Sequence, residues 1–180
     1  SSVPGCYSGD CTILGCSAGG NVAAGATNIV LYGSNAGFNA TTADNIVAIG
    51  ATVALCMTTA TDTVLIGTQA GRCIMTSAAN VAVGAFTLFN ECAGATNTAV
   101  GNCALLDQKG GGTNTAIGAE AGANITTGEG NVYLGYKAGC ACTTQDHTFV
   151  VGNGTCDIVS GCFATGAINL VGALTIGVND

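Results

Sequence analysis

The sequence predicts an all-β protein, a parallel β-solenoid (β-roll) of about 8–9 coils, on three observations. A triplet of two aliphatic residues (or Tyr) and a Gly recurs at a fixed spacing: every interval from Gly33 to Gly152 is 17 residues, and that from Gly15 to Gly33 is 18. Residues at equal distances from these marker glycines share one chemical type. Gly accounts for 29 of 180 residues, which disfavours helices. The marker glycines are Gly15, Gly33, Gly50, Gly67, Gly84, Gly101, Gly118, Gly135 and Gly152.

Each marker glycine follows a short predicted strand. The residue directly before it is aliphatic, the residue two places earlier is mostly β-branched, and Ala often stands between them, as in Val47-Ala48-Ile49. This alternation is typical of a short strand with a period of two residues.

The rest of the coil is predicted to contain a second strand and two tight turns. Three residues after the marker glycine the side chain is small, so the two walls of the coil meet closely there. A turn is predicted six residues after it, and a second turn four residues before it, where Asn80, Asn97, Asn114 and Asn131 stand. Other coils have the polar residue one place earlier, as Asn28, Asn45, Asp62 and His147. Stacking at about 4.8 Å gives a rod of roughly 40 Å, in which the Asn columns form hydrogen-bonded ladders.

Seventeen residues are too few for the helical pairs of ankyrin or tetratricopeptide repeats, which need about 33. We therefore predict one solenoid domain over residues 1–180, with regular repeats over about 28–155 and irregular ends at 1–27 and 156–180.

Two segments carry a family resemblance. Residues 97–105 (NTAVGNCAL) and 114–122 (NTAIGAEAG) resemble the NTAxGxxA repeats of viral and phage tail-fibre-type proteins, and are similar to the YadA-like heads of trimeric autotransporter adhesins. The resemblance covers roughly residues 28–155. It implies a left-handed parallel β-roll, usually a homotrimer, in an extracellular fibre or adhesin. The 17-residue period and the cysteine content depart from the pattern of adhesin heads.

Composition excludes several functions. The chain has only 3 Lys and Arg residues but 10 Asp and Glu residues. The resulting net charge of -7 would repel the phosphates of nucleic acid, which excludes nucleic-acid binding. The 48% hydrophobic content and 7% charged content are the reverse of a disordered chain. No apolar stretch reaches the ~20 residues of a membrane-spanning helix, so we predict no membrane span.

The 11 cysteines favour an extracellular protein. Cys56 and Cys73 occupy the same column in adjacent coils, within reach of a disulfide, and Cys140 and Cys156 are a second candidate pair. The odd total leaves one cysteine as a buried thiol or in a disulfide between subunits.

The chemistry of an enzyme or metal site finds little support in the sequence. Cys140, Cys142, His147 and Cys156 match no standard zinc spacing, and His147 is the one histidine available as a base. The carboxylates, Glu91 among them, are expected in turns or outward columns. We predict no catalytic residues, no metal and no cofactor.

Three sequons, at Asn39, Asn124 and Asn153, are candidate glycosylation sites.

These features favour a structural subunit or module of an extracellular fibre, filament or virion appendage. It is expected to self-assemble end to end or side by side, as a homotrimer or filament. One alternative is an adhesin that binds a cell-surface glycan or receptor through Phe38, Phe89 and Tyr136. A second is an ice-binding protein that uses the column of Thr42, Thr59, Thr76 and Thr127, which Ala93 and Gly110 interrupt.

Overall fold

The chain forms one 11-stranded sheet in a computed structural model that describes residues 10–154, 157–163 and 165–170. The strands lie side by side in chain order, and no helix occurs in the described residues. They are β1 (Cys11–Leu14), β2 (Thr27–Tyr32), β3 (Asp44–Ile49), β4 (Thr61–Ile66), β5 (Val81–Val83), β6 (Thr98–Val100), β7 (Thr115–Ile117), β8 (Val132–Leu134), β9 (Thr148–Gly152), β10 (Asp157–Cys162) and β11 (Ala167–Leu170).

Strands β1 to β9 pair in parallel, and equivalent residues of successive repeats face each other, as Val47 faces Val64 and Val64 faces Val81. The predicted parallel solenoid with a 17-residue repeat is therefore confirmed. After β9 the direction reverses, because β10 pairs antiparallel with both β9 and β11. The segment beyond residue 155, predicted as irregular, contains this antiparallel pair.

Each coil has one strand and not the predicted two. The wall opposite the strands, which we call the turn wall, consists of consecutive turns, as Ala70 N donates to Gly67 O (3.3 Å) and Ile74 N to Gly71 O (3.1 Å). Two positions of each turn-wall segment take a positive φ, for example Thr52 (52°) and Ala54 (51°). The backbone N–H groups there bond to adjacent coils and not within a second sheet, which is why the prediction of a second strand is wrong.

The marker glycines form the corner that leads from the strands to the turn wall. Gly84 has a φ of 134°, and a Cβ placed on it would lie 2.5 Å from Gly101 O in the next coil. Adjacent backbones therefore approach too closely at this corner for any side chain.

The other corner carries the predicted asparagine ladder. Asn80 Oδ1 accepts from Asn97 N (2.9 Å), and the same bond recurs from Asn97 to Asn114 and from Asn114 to Asn131. All four asparagines are fully buried. Because the side chain takes the N–H that would otherwise extend the sheet, strands β5 to β8 have 3 residues where β2 to β4 have 6.

Candidate interaction surface

The outward side of the parallel strands β1 to β9 is a regular surface that runs along the roll. In each of these strands, the residue two places before the marker glycine points inward; Ala48 and Leu65, for example, are fully buried. Its two neighbours along the strand point outward. We call these outward residues the outer strand face. They are Thr12, Val30, Val47, Val64, Val81, Thr98, Thr115, Val132 and Phe149 in one column, and Leu14, Tyr32, Ile49, Ile66, Val83, Val100, Ile117, Leu134 and Val151 in the other.

The outer strand face is apolar and uncharged. Three threonines are its polar members apart from the Tyr32 hydroxyl, and no Asp, Glu, Lys or Arg occurs in either column. Five of its large side chains are exposed, including Leu14 (59%), Tyr32 (54%) and Ile117 (45%), while Leu134 and Phe149 are half-buried. With strands about 4.8 Å apart and columns about 7 Å apart, the face is about 40 Å long and covers on the order of 500 Å². That area is at the upper end of what soluble monomers expose as one apolar patch.

The sequence contained a signal for this surface that the strand prediction did not use. Val47, Ala48 and Ile49 are apolar on both sides of the strand, whereas a half-exposed strand alternates apolar with polar residues. A single sheet has only one side that faces the interior of the coil. The other apolar side of the strand must therefore face outward.

The aromatic residues proposed for glycan binding do not converge. Phe38 and Phe89 are half-buried on the turn wall in the same column, but three coils separate them, about 14 Å. Tyr136 is 49% exposed near the marker-glycine corner, where the Lys137 Nζ lies 5.1 Å from its ring centroid. Arg72 likewise lies 5.5 Å from the Phe89 ring centroid.

The threonine column is exposed at the bend between the turn wall and the strands. Thr42, Thr59, Thr76 and Thr127 are all exposed, and Ala93 and Gly110 interrupt them as the sequence indicates. The preceding threonines face the backbone: Thr41 Oγ1 donates to Thr58 O (3.1 Å) and Thr58 Oγ1 to Met75 O (2.9 Å).

The sequon asparagines take part in contacts between coils. Asn39 Nδ2 donates to Leu55 O (3.0 Å) while Asn39 Oδ1 accepts from Asn21 (2.8 Å). Asn124 Nδ2 donates to Cys140 O (2.6 Å), and Asn153 is exposed. Glycosylation at Asn39 or Asn124 would replace one of the two hydrogens on an amide nitrogen that donates to an adjacent coil.

The cysteines are spread along the roll. Cys11 is disulfide-bonded, and Cys16, Cys56, Cys73, Cys92, Cys103 and Cys140 carry free thiols. Cys156 lies outside the described residues, so the pair of Cys140 and Cys156 remains a prediction. Cys56 and Cys73, the first predicted disulfide pair, both carry free thiols, so their disulfide also remains a prediction. Burial and the neighbouring Cys73 raise the pKa of the Cys56 thiol.

The metal and membrane findings cover the described part of the chain. There, no group of three or more His, Cys, Asp or Glu side chains is arranged to hold a metal ion. His147 is an exposed residue of the corner before β9, with a φ of 54°. In the same part of the chain, no helix has the length and hydropathy to cross a bilayer.

Glu91 is not at the surface, where the sequence placed it. Its side chain is fully buried and stacks in one column with Ile74 and Gln108, seven residues after the marker glycine. Glu91 Oε1 accepts from Ala93 N (2.8 Å) and Gly94 N. Burial raises the pKa of Glu91, and the backbone N–H groups oppose that rise. The column is otherwise mostly aliphatic (Ala40, Met57, Ile74, Ile125), which was the signal for its burial.

Comparisons of the chain with protein-family models, with curated proteins and with solved structures found no match.

Proposed function

We propose that this chain is a structural subunit or module of an extracellular fibre, filament or virion appendage, and that its copies associate through the outer strand face. The observation that carries the proposal is the uncharged apolar surface of the nine parallel strands. A second copy is its best-matched partner, because a face without charge complements an identical face and no ionic group would be left unpaired.

The size of the face fits an interface between copies. Covering the face on two molecules would bury on the order of 1,000 Å² in total, which is where specific interfaces begin. The regular spacing of the strands repeats the same contact in every coil, so a small contribution per coil accumulates over nine coils. In a homotrimer these faces would meet around one axis, whereas a filament would need a second contact surface as well. Electron microscopy of the assembled protein distinguishes the two.

The experiment that tests this proposal replaces exposed members of the face by charge. We expect the wild-type chain to sediment as an oligomer at micromolar concentration, and Ile66→Lys with Ile117→Lys to sediment as a monomer with an unchanged circular dichroism spectrum. Thr59→Lys, at another exposed position but on the bend, is the matched control and should stay oligomeric. A wild-type chain that is monomeric up to high concentration would contradict the proposal.

Ice binding is a second candidate, favoured by the exposure of Thr42, Thr59 and Thr76 at one residue per coil. The same variants separate the two functions, because Thr59→Lys should abolish thermal hysteresis while Ile66→Lys with Ile117→Lys should leave it. A wild-type protein without thermal hysteresis removes this candidate. The glycan-binding alternative has no comparable cluster, since its three aromatic residues lie apart.

A further inference from the structure

Two thiols meet on the turn wall, on the side of the roll away from the outer strand face. Cys56 and Cys73 each lie six residues after a marker glycine, in consecutive coils. The backbone holds this column in register, since Cys56 N donates to Arg72 O (3.0 Å) and Cys73 N to Phe89 O (3.1 Å). Stacked positions are about 4.8 Å apart, within the 4.4–6.8 Å between Cα atoms that disulfides span.

The neighbouring thiols are placed differently. Cys92 lies two positions further along its coil than Cys56 and Cys73 do in theirs, and its thiol donates to Asn90 O (3.3 Å). Cys103 lies two residues after its marker glycine, in another column. Of Cys56, Cys73, Cys92 and Cys103, the first two share a column in consecutive coils and the other two do not.

We propose that Cys56 and Cys73 are a disulfide-forming modification site, which is oxidised by exchange with a small-molecule disulfide such as glutathione disulfide. One of the two cysteines, as its thiolate, attacks the disulfide, and one glutathione leaves as its thiolate. The other cysteine, after losing its proton, attacks the protein sulfur of the mixed disulfide and expels the second glutathione. Two protein thiols are oxidised, and one glutathione disulfide is reduced to two glutathione molecules.

The position of this bond gives it a structural role. The closed loop contains all of β4, the strand at which a ladder of exposed side chains ends: Asn28 donates to Asn45 (3.0 Å), and Asn45 to Asp62 (2.9 Å). The equivalent residue of the next coil is Ala79, which has no polar side chain. A covalent bond between Cys56 and Cys73 would hold adjacent coils together one corner before this break. The inference does not depend on the proposed function, because the site lies off the outer strand face.

Trypsin provides a direct test, since cleavage after Arg72 places Cys56 in residues 1–72 and Cys73 in residues 73–109. After incubation of the folded full chain with glutathione disulfide, we expect these two peptides to be cross-linked through Cys56 and Cys73. Cys103 should instead carry glutathione or stay reduced. Cys92→Ser is the matched control and should keep the cross-link, whereas Cys73→Ser should lose it and carry glutathione on Cys56.

Stability provides the second measurement. Closing a loop of this length should raise the Tm by roughly 6–12 °C, and a reductant should reverse the rise. Cys56 and Cys73 each carrying glutathione, or a cross-link that runs through Cys92, would overturn the proposal.

Discussion

Glu91 and Gln108 place polar groups inside the roll at positions where neighbouring coils carry aliphatic side chains. Both residues are fully buried, and Glu91 Oε2 and Gln108 Oε1 find no hydrogen-bond partner among the described residues. Gln108 Nε2 donates to Gly111 O (2.6 Å), and this orientation of the amide leaves Gln108 Oε1 without a donor. An ionised carboxylate beside a second unpaired acceptor is costly in a dry interior, which is consistent with a raised pKa for Glu91.

We therefore predict that Glu91→Gln stabilises the protein at neutral pH. A carboxyl whose pKa is raised on folding stabilises the fold most below its unfolded value, near 4.5, and loses that contribution as the pH rises through the folded pKa. The variant removes the charge and supplies an N–H₂ donor in the column. We expect a gain of about 1–3 kcal/mol at pH 7 and little difference near pH 4.

Urea unfolding of both proteins over this pH range checks the prediction. Glu129→Gln, which changes an exposed carboxylate, is the control and should follow the wild type at every pH. Equal stabilities of Glu91→Gln and the wild type at pH 7 would show that the buried carboxylate costs nothing.

At the scale of elements, the two walls of the roll pair large side chains with small ones. Leu65 on β4 faces Gly71, and a Cβ on Gly71 would lie 2.8 Å from Leu65 Cδ1. In the next coil the order is inverted, because Ala82 on β5 is small and Leu88 on the turn wall is large. Tyr133 fits inside β8 for the same reason, as its ring packs over Gly122 and Gly139. The interior is too thin for two large residues at one level.

This complementarity predicts strong coupling between the walls. Leu88→Gly alone leaves a cavity that costs about 2–5 kcal/mol, and Ala82→Leu alone overpacks at a cost of about 1–3 kcal/mol. The double variant reproduces the arrangement of Leu65 and Gly71, so its cost should fall below the sum by at least about 1 kcal/mol. Leu88→Gly combined with Ala48→Leu, two coils away, is the control and should be additive in denaturant unfolding.

The columns also show how far the sequence determines the fold. The strand positions, the parallel register and the asparagine ladder could all be predicted, because each repeats one residue type every 17 residues. The conformation of the turn wall could not be predicted, because Thr52, Phe86 and Leu88 take a positive φ that these residue types disfavour. Hydrogen bonds to adjacent coils, such as Thr52 N to Ser34 O (2.8 Å), hold that conformation, and they exist only after stacking.

The candidate surface was predictable only in part for a related reason. The period of two residues separates the inward from the outward residues of each strand. Val47 and Ile49 are apolar, however, so the sequence alone predicts that they are buried, and only a coil with a single sheet places them outside. Glu91 was misplaced because its type suggested solvent, although its column was aliphatic.

For the whole molecule, side-chain ladders divide the stack into two blocks. Exposed side chains link the coils of β2 to β4 at the second residue of each strand, through Asn28, Asn45 and Asp62. From β5 onward, buried asparagines link the coils instead, starting at Asn80. They lie one residue closer to the marker glycine than Asn28, Asn45 and Asp62 do. Between Asp62 and Ala79 neither ladder continues, and backbone bonds such as Ala79 N to Thr61 O (3.0 Å) remain. Since the coils of a solenoid contact only their neighbours, this junction should be its weakest internal interface.

Ala79→Asn should strengthen the junction. Ala79 has a φ of 56°, a conformation that Asn tolerates better than Ala, and the new amide would stand where it can donate to the Asp62 carboxylate. We expect a gain of about 0.5–1.5 kcal/mol. Ala79→Gly relieves the backbone without adding an amide, so the difference between the two variants isolates the ladder bond.

Native-state hydrogen exchange provides the spatial measurement: in the wild type the amides of β4 and β5 should exchange through a lower-energy opening than those of β7, and Ala79→Asn should slow them selectively. Uniform slowing along the whole roll would mean that the stack opens as one unit and contains no weak junction.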